Sequence, residues 1–398
     1  MTDATAATAR AIEAVWRLEA PRILGFLVRL LGDVQAAEDA AQAVLLTALE
    51  RWPTEGIPQN PGAWLVTAAR HRAIDGLRRD ARQARLLDAH GHSGPSTEAP
   101  LADEALDGVV GDDLLRLILV ACNPVLAVEA RVALTLRLLA GLTTAEIAHA
   151  YLVPEATVAQ RIVRAKRTLR AAEVPFEVPR GEALAARLPA VLEAIYLIFN
   201  EGYAASRGDT WIRGELCQVA LRLGRVLAGL TPMAAEVHGL VALMELHTSR
   251  LRARHGPGGQ PVLLLDQDRG RWDHLLIQRG LRALALAIRL ARPLGPYTLQ
   301  AAISACHARA RTAGDTDWHQ IVALYDALVE ATGSPVVELN RAVAVGMAFG
   351  PAEGLALVDD LALDPALATY PHLPAVRGDL LERLGRRAEA RSAFEAAA

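Results

Sequence analysis

Residues 142–170, LTTAEIAHAYLVPEATVAQRIVRAKRTLR, constrain the fold of this chain more than any other stretch. Thr143 and Glu146 have the spacing of a capping box, in which each side chain satisfies a free backbone N–H group at a helix start. Pro154 suits the first turn of a second helix, because proline lacks the N–H group that would have no partner there. The stretch therefore predicts two helices, about 144–150 and 157–170, joined by a short turn.

The second of these helices is basic, although the whole chain carries a formal net charge of −3. Residues 155–170 hold five basic side chains and one acidic side chain, and they include the only lysine of the chain, Lys166. The residues expected to pack the two helices together are Ile147, Leu152, Val158 and Ile162. Two packed helices with a polar, basic second member predict a helix-turn-helix that enters a DNA major groove. An αα-hairpin with a solvated basic face is the alternative.

Composition indicates an all-α, cytoplasmic protein. Hydrophobic residues make up 52% of the chain and aromatic residues only 4%, with Ala, Leu and Arg dominant, which favours packed helices. Arg and Glu interrupt each apolar run before it reaches the length of a membrane span, and no signal peptide is visible at the N-terminus. Cys122, Cys217 and Cys306 lie far apart in apolar contexts, which favours buried free thiols in a reducing compartment.

Residues 10–85 predict three helices. The first covers Ile12–Leu31, the second runs from a cap at Asp33 to about Trp52, and the third covers Ala63–Arg85 after a loop with three prolines. The third helix carries six arginines against two aspartates, and an aromatic residue, Trp64, lies near its start. Aromatic side chains beside arginines suit single-stranded or melted nucleic acid, whose unpaired bases stack on them.

A polar stretch rich in Gly, Pro and Ser, residues 88–100, predicts a linker before a second helical block at about 103–172. His90 and His92 in it are expected to be solvated rather than metal ligands, since no third ligand is near. Residues 173–182 form a junction bounded by prolines. Beyond it, two similar segments begin at Gly350 and Gly385, 35 residues apart. This spacing is close to the ~34 residues of a tetratricopeptide repeat, and plain antiparallel helices are the alternative.

The densest polar cluster, LLLDQDRGRWDH, contains three aspartates and a histidine, and two carboxylates with a histidine can serve acid–base chemistry. The competing interpretation is structural, because Asp268 has the position of a helix N-cap and the residues after it that of a first turn. A second unusual stretch, IYLIFNEGYAAS, ends an apolar helix, and Gly202 suits its C-cap. The residues of both stretches that we consider candidates for interdomain contact are Asn200, Glu201, Tyr203, Asp266, Asp268, Arg269, Trp272 and Asp273.

Together these motifs resemble those of bacterial sigma factors of the extracytoplasmic-function (ECF) group. AAEDAAQAVLLTALERW resembles the second region of these factors, which docks on RNA polymerase. AWLVTAARHRAIDGLRRDAR resembles the stretch that recognises and opens the −10 element, and the helix-turn-helix resembles the fourth region, which reads the −35 element. The long C-terminal part is similar to the ECF subgroup with a tetratricopeptide-like extension, which is thought to take part in regulation.

The resemblance implies roles for three sets of residues. The set for polymerase docking is Glu38, Asp39 and Gln42. The set for the −10 element is Trp64, Arg70, His71, Arg72, Arg78 and Arg79. The set for the −35 element is Gln160, Arg161, Arg164, Lys166 and Arg167. The expected domains are sigma region 2 (1–87), a linker (88–102), sigma region 4 (103–175) and a helical regulatory extension (176–398).

We therefore expect a transcription initiation factor without a catalytic site, cofactor or metal. Its expected partners are core RNA polymerase, promoter DNA and a regulatory protein or peptide on the C-terminal domain, with no membrane association. One alternative is a stand-alone helix-turn-helix regulator whose helical repeat domain senses a partner. Another is an enzyme built around Asp266, Asp268, Asp273 and His274, which requires these side chains to converge in one pocket.

Overall fold

A computed structural model describes residues 3–87, 106–151, 153–203, 214–256, 260–368 and 370–397. In this part of the chain all of the long elements are α-helices, and the only β-type pairing is a bridge between His255 and Pro261. The helices are α1 (Asp3–Leu31), α2 (Val34–Glu55), α3 (Pro61–Leu87), α4 (Leu106–Ala121), α5 (Val128–Leu138), α6 (Thr144–Tyr151), α7 (Glu155–Ala171), α8 (Glu182–Tyr203), α9 (Gly214–Leu230), α10 (Ala235–Thr248), α11 (His274–Leu290), α12 (Pro296–Arg309), α13 (Trp318–Thr332), α14 (Pro335–Ala348), α15 (Pro351–Leu361), α16 (His372–Arg383) and α17 (Arg387–Ala397). The all-α prediction is confirmed.

The chain divides into two compact units, Met1–Leu223 and Gly224–Ala398. In the first unit, α1, α2 and α3 pack on one another, and α1 also packs on α4. The caps are those that the sequence predicts: the Asp33 carboxylate accepts a hydrogen bond from the Ala36 amide at 2.8 Å, and Gly32 has a positive φ of 68° at the end of α1. The apolar side of the three-helix bundle is deeply buried, with Leu27 and Leu65 fully inaccessible.

The helix-turn-helix is present as α6 and α7. The Thr143 amide donates to the Glu146 carboxylate at 2.7 Å, and the Glu146 amide donates to the Thr143 hydroxyl at 3.1 Å, which is the predicted capping box. Pro154 is the N-cap of α7, one residue before the helix begins. The buried stripe of α7 consists of Val158, Ile162, Ala165 and Leu169. The predicted packing residue Leu152 lies outside the described residues, as does the linker from residue 88 to 102 with His90 and His92.

In the second unit, α13 to α17 pack each on the next along the chain. The two glycines that mark the sequence repeat, Gly350 and Gly385, both have a positive φ, 114° and 75°, and they precede α15 and α17. Gly354 lets α14 and α15 approach closely, since a Cβ atom there would lie 2.8 Å from the Ala342 carbonyl oxygen. This is the stacked helix pattern that a tetratricopeptide-like arrangement requires.

Helix α8 lies in the first unit, where it packs against α4 and α5. The expected boundary after residue 175 therefore differs from the division into compact units, which comes at 223/224. The expected C-cap at Gly202 is wrong, because α8 continues through Tyr203. The rings of Phe199 and Tyr203 stack one turn apart, with centroids 5.7 Å from each other, and this contact spans the last turn of the helix.

Two further features are absent from the described residues. None of their helices combines the length and the apolar composition that a membrane span requires. No group of three or more His, Cys, Asp or Glu side chains among them is arranged to hold a metal ion. All three cysteines are buried and free, as the sequence predicts, and burial raises the pKa of Cys122 to about 11.

Candidate nucleic-acid and polymerase interfaces

Helix α7 presents its polar side chains on the face opposite its buried stripe. Gln160, Arg164 and Arg167, spaced four and three residues apart, are exposed and share one side of the helix. Arg161 is half-buried. This side can enter a groove in DNA, because the guanidinium and amide groups are free to reach base edges and phosphates.

Lys166, the fifth residue of the −35 set, has a different environment. Its ammonium group forms an ion pair with Glu38 and donates a hydrogen bond to the Gln35 side chain at 2.9 Å. Only 14% of its side chain is exposed. Lys166 therefore contacts α2, whereas Gln160, Arg164 and Arg167 lie on the exposed side of α7.

Helix α3 carries the predicted −10 set. The rings of Trp64 and buried Trp52 meet edge to face, with centroids 5.5 Å apart. Trp64, His71 and Arg72 also line one side of a cavity of about 370 Å³ between α2 and α3, where His71 and Arg72 are exposed. Trp64 therefore has both a packing role and a place at the cavity. Of the other arginines of the set, Arg70 is half-buried and Arg78 is exposed, while the side chain of Arg79 lies outside the described residues.

The predicted docking residues on α2 have unequal environments. Asp39 and Gln42 are exposed, whereas Glu38 is only 5% exposed. Besides Lys166, Glu38 receives a hydrogen bond from Arg137 of α5, whose Nε lies 3.2 Å from the carboxylate. Sequence reasoning missed Arg137, because its partner is 99 residues away and no local pattern marks it.

Two further ion pairs connect the first three helices with the helices that follow. The guanidinium of Arg170 lies 2.7 Å from the Asp33 carboxylate, and Arg29 lies 2.8 Å from Asp113 of α4. Burial acts to raise the pKa of Asp33, but the hydrogen bond from the Ala36 amide and the contact with Arg170 lower it below its ordinary value. At Asp113 the effect of burial is larger than that of Arg29 and Arg116, so the pKa of this carboxyl is raised.

Asn200 and Glu201, two of the candidates for interdomain contact, face the helix-turn-helix. They line a cavity of about 380 Å³ together with residues of α5, α6 and α7, among them Val158 and Arg161. A second contact joins α8 to α5, since Arg131 of α5 forms an ion pair with Glu193 of α8 at 2.8 Å. The stretch at the end of α8 therefore contacts the predicted sigma region 4.

The polar cluster of the second unit forms two successive helix starts. Asp268 accepts a hydrogen bond from the Gly270 amide at 2.9 Å and caps a short 3₁₀ helix, and Asp273 caps α11. Arg269 lies over the buried ring of Trp272 at 4.7 Å and donates to the Ala310 carbonyl oxygen at 3.0 Å. The expected N-cap at Asp268 is confirmed, although the helix that it caps is a short 3₁₀ turn and α11 begins only at His274. The carboxylates of Asp268 and Asp273 accept hydrogen bonds from backbone amides. This is the structural role that the sequence offers as the alternative to catalysis.

These features define a helical protein with a helix-turn-helix and a second, arginine-rich helix in one unit. Models of three families match the chain: sigma-70 region 2 over residues 15–83, sigma-70 region 4 over residues 116–169, and a family of unknown function, DUF6596, over residues 187–288. No solved structure matches it.

Similar proteins extend this result. The ECF RNA polymerase sigma factor SigL of Mycobacterium tuberculosis is 33% identical over 171 residues, which are 43% of this chain and 93% of SigL. The ECF RNA polymerase sigma factor SigK of Mycobacterium ulcerans is 29% identical over 154 residues, 37% of this chain and 78% of SigK. The uncharacterized protein R00370 of Rhizobium meliloti is 45% identical over 379 residues, 95% of this chain and 89% of that protein. The chain belongs to the ECF sigma factors of the sigma-70 family and carries an additional C-terminal helical part.

Proposed function

We propose that this sigma factor binds core RNA polymerase and directs it to promoters through two DNA contacts, and that its C-terminal part regulates this activity. The observation that carries the proposal is the exposed face of Gln160, Arg164 and Arg167 on α7, in a chain that also matches sigma-70 region 2. The exposed polar side chains on α7 support reading of duplex DNA at the −35 element.

Helix α3 supports a contact with melted DNA at the −10 element. An unpaired base can stack on an aromatic ring, and Trp64 lies at a cavity with His71 and Arg72 beside it. The cavity volume of about 370 Å³ is in the range of small-molecule sites. Asp39 and Gln42, exposed on α2, are free to contact polymerase.

Regulation by the C-terminal part is supported by the contacts of α8. Because this helix packs on α4 and α5 and lines a cavity with α7, a change in its position would act directly on the helix-turn-helix. The stacked helices α13 to α17 are the kind of arrangement that offers a surface to a protein or peptide partner.

The proposed function is tested by run-off transcription with purified core polymerase on a set of candidate promoters. We expect transcripts from promoters with matched −10 and −35 elements only when the full-length protein is added. Duplex binding without polymerase, with no stimulation of transcription on any promoter, would instead support a stand-alone regulator.

We expect Arg164→Ala to weaken promoter binding by about 1–3 kcal/mol and to relax the preference at one −35 position, since a bidentate contact to a guanine is lost. Binding of polymerase with this variant is measured on promoters that differ at single −35 positions. Arg180→Ala, which removes an exposed charge outside α7, is the control and should leave the preference intact. An equal loss on every promoter sequence would contradict a base-reading role.

A further inference from the structure

The second unit holds three arginine side chains close together, at or below its surface. Arg250 and Arg254, which follow α10, are each only 8% exposed. The guanidinium groups of Arg250 and Arg269 both lie over the ring of Trp272, at 5.8 and 4.7 Å from its centroid. Within the described part of the chain, neither Arg250 nor Arg269 forms an ion pair with an acidic side chain. We call Arg250, Arg254 and Arg269 the arginine cluster.

The pKa shifts of neighbouring groups show that these charges act on one another. Burial lowers the pKa of Arg269, and the charge of Arg250 lowers it further, against a smaller opposite effect of Asp315. Burial also lowers the pKa of His307 to about 4, with additional lowering by Arg250 and Arg269. Like charges at short range disfavour the charged forms of one another. An anion in contact with the arginine cluster would therefore relieve the repulsion.

Three aspartates near the arginine cluster are engaged with other groups. Asp268 and Asp273 accept hydrogen bonds from backbone amides at 2.9 and 3.0 Å, as the caps of two helix starts. Asp315 is exposed and accepts hydrogen bonds from the Thr312 amide and hydroxyl, each at 2.9 Å. Buried charges are normally paired, and these three carboxylates form no ion pair with the arginine cluster.

The same region contains buried polar atoms that have no hydrogen-bond partner among the described residues. They include Nη2 of Arg269, Nε1 of Trp272, Nδ1 of His307 and Oγ1 of Thr248. Trp272, His307 and Thr248 are at most 7% exposed. The guanidinium and indole atoms can only donate, and the ring nitrogen and the hydroxyl can donate as well. Because nearly all buried polar atoms have a partner, a set of donors beside buried cations indicates a ligand that accepts hydrogen bonds.

We propose that the arginine cluster, with Trp272 and His307, binds a small oxyanion of the phosphate class. Arg250 and Arg269 supply the charged donors, because a guanidinium group matches the oxygen spacing of a phosphate with two parallel hydrogen bonds. The side chains are too deeply buried to reach the backbone of duplex DNA. The ligand is therefore free phosphate or the phosphate group of a small molecule.

This site lies in the second unit and does not depend on the proposed function. Arg250 follows α10, Arg269 lies in the short 3₁₀ helix before α11, and His307 belongs to α12. Nη1 of Arg269 already donates to the Ala310 carbonyl oxygen at 3.0 Å, just after α12. An anion bound by these side chains would connect three segments of the chain, so we expect it to stabilise the second unit.

Binding is measured by isothermal titration calorimetry of inorganic phosphate into the full-length chain, in a phosphate-free buffer of constant ionic strength. Hydrogen exchange of the α10 and α12 amides separates this site from the arginines of α3 and α7. With phosphate at about ten times its Kd, we expect exchange that requires unfolding of the second unit to slow about tenfold. Chloride at the same ionic strength should not have this effect. A parallel series with glycerol phosphate distinguishes the two sources: slowing by both ligands assigns the site to phosphate groups in general, and slowing by inorganic phosphate alone assigns it to the free anion.

Arg250→Gln removes one charged donor. We expect it to weaken phosphate binding about tenfold or more, since a hydrogen bond to a charged group contributes about 1.5–3 kcal/mol. Without phosphate, we expect α10 and α12 to be protected at least as well as in the unchanged protein, because no ion pair is lost and a like charge is removed. Arg250→Lys keeps the charge and should weaken binding less. The matched control is Arg252→Gln, at an exposed position two residues further along, which should bind phosphate normally.

The outcomes that contradict the site are distinct. Equal slowing by chloride, or slowing confined to α3 and α7, would show that phosphate does not bind here. If phosphate protects Arg250→Gln as strongly as the unchanged protein, Arg250 does not hold an anion. A loss of protection in Arg250→Gln that is the same with and without phosphate would assign Arg250 a purely structural role. If Arg250→Gln does not fold, Arg250→Lys decides, and phosphate affinity equal to that of the unchanged protein would overturn the inference.

Discussion

A chain that ends at Glu177 is expected to be less stable than one that ends at Leu230, by at least about 3 kcal/mol in the free energy of unfolding. The longer chain retains α8, which packs against α4 and α5, and the shorter chain loses it. Losing the burial of two apolar side chains already costs about 3 kcal/mol, at roughly 1.5–3 kcal/mol each. Arg131 also loses its ion pair with Glu193 and its hydrogen bond to the Ala190 carbonyl oxygen.

The comparison is made by urea denaturation of both fragments, followed by circular dichroism at 222 nm. A loss of this size is a large part of the total stability of a domain, ~5–15 kcal/mol, so we expect the shorter fragment to unfold at a clearly lower urea concentration. Equal unfolding midpoints and slopes would show that α8 contributes nothing to this unit. The comparison also decides which fragment can test regulation by the C-terminal part. Because the chain ending at Glu177 is expected to be destabilised, only the chain ending at Leu230 should be compared with the full-length protein in transcription.

Local patterns predict the helix-turn-helix well, because the residues that define it lie within one or two turns of one another. Thr143 and Glu146 form their capping box through bonds between neighbours, and Pro154 acts at the start of its own helix. Gly350 and Gly385 likewise mark helix starts through their own backbone conformation. Such features depend on residue type and spacing alone, so a sequence shows them directly.

The environments of the candidate site residues depend on partners far along the chain. Glu38 is buried by Arg137 and Lys166, and 128 residues separate it from Lys166 in the sequence. The sequence pattern of α2 does not predict the burial of Glu38, because the neighbouring residue Asp39 has the same charge and lies in the same helix, yet is exposed. The membership of α8 in the first unit is hidden for the same reason, because Arg131 and Glu193 meet only after the chain has folded.

The second unit is expected to lose stability in mild acid, because it buries a histidine in its neutral form. His307 is 7% exposed, and burial, together with the charges of Arg250 and Arg269, lowers its pKa from 6.5 to about 4. Burial and nearby arginines also lower the pKa of His247. Above pH 6.5 the imidazole of His307 is neutral in the folded and the unfolded chain, so its contribution to stability does not change there.

As the pH falls below 6.5, the unfolded chain takes up a proton at residue 307, whereas the folded chain does not until the pH approaches 4. Stability is therefore lost across this window, by about 3 kcal/mol from His307, since one pKa unit corresponds to about 1.4 kcal/mol. Hydrogen exchange of the α12 amides at pH 7 and pH 4.5, corrected for the intrinsic exchange rates, reports this loss within the second unit.

The variant His307→Phe identifies the group responsible. Phenylalanine keeps an aromatic ring next to Trp318, whose ring meets that of His307 edge to face at 5.2 Å, but it takes up no proton. We expect the difference in α12 protection between the two pH values to shrink by most of the His307 contribution. His274→Phe, at an exposed position at the start of α11, is the control and should behave like the unchanged protein. If His307→Phe loses as much protection in acid as the unchanged protein does, burial of the neutral imidazole is not the cause.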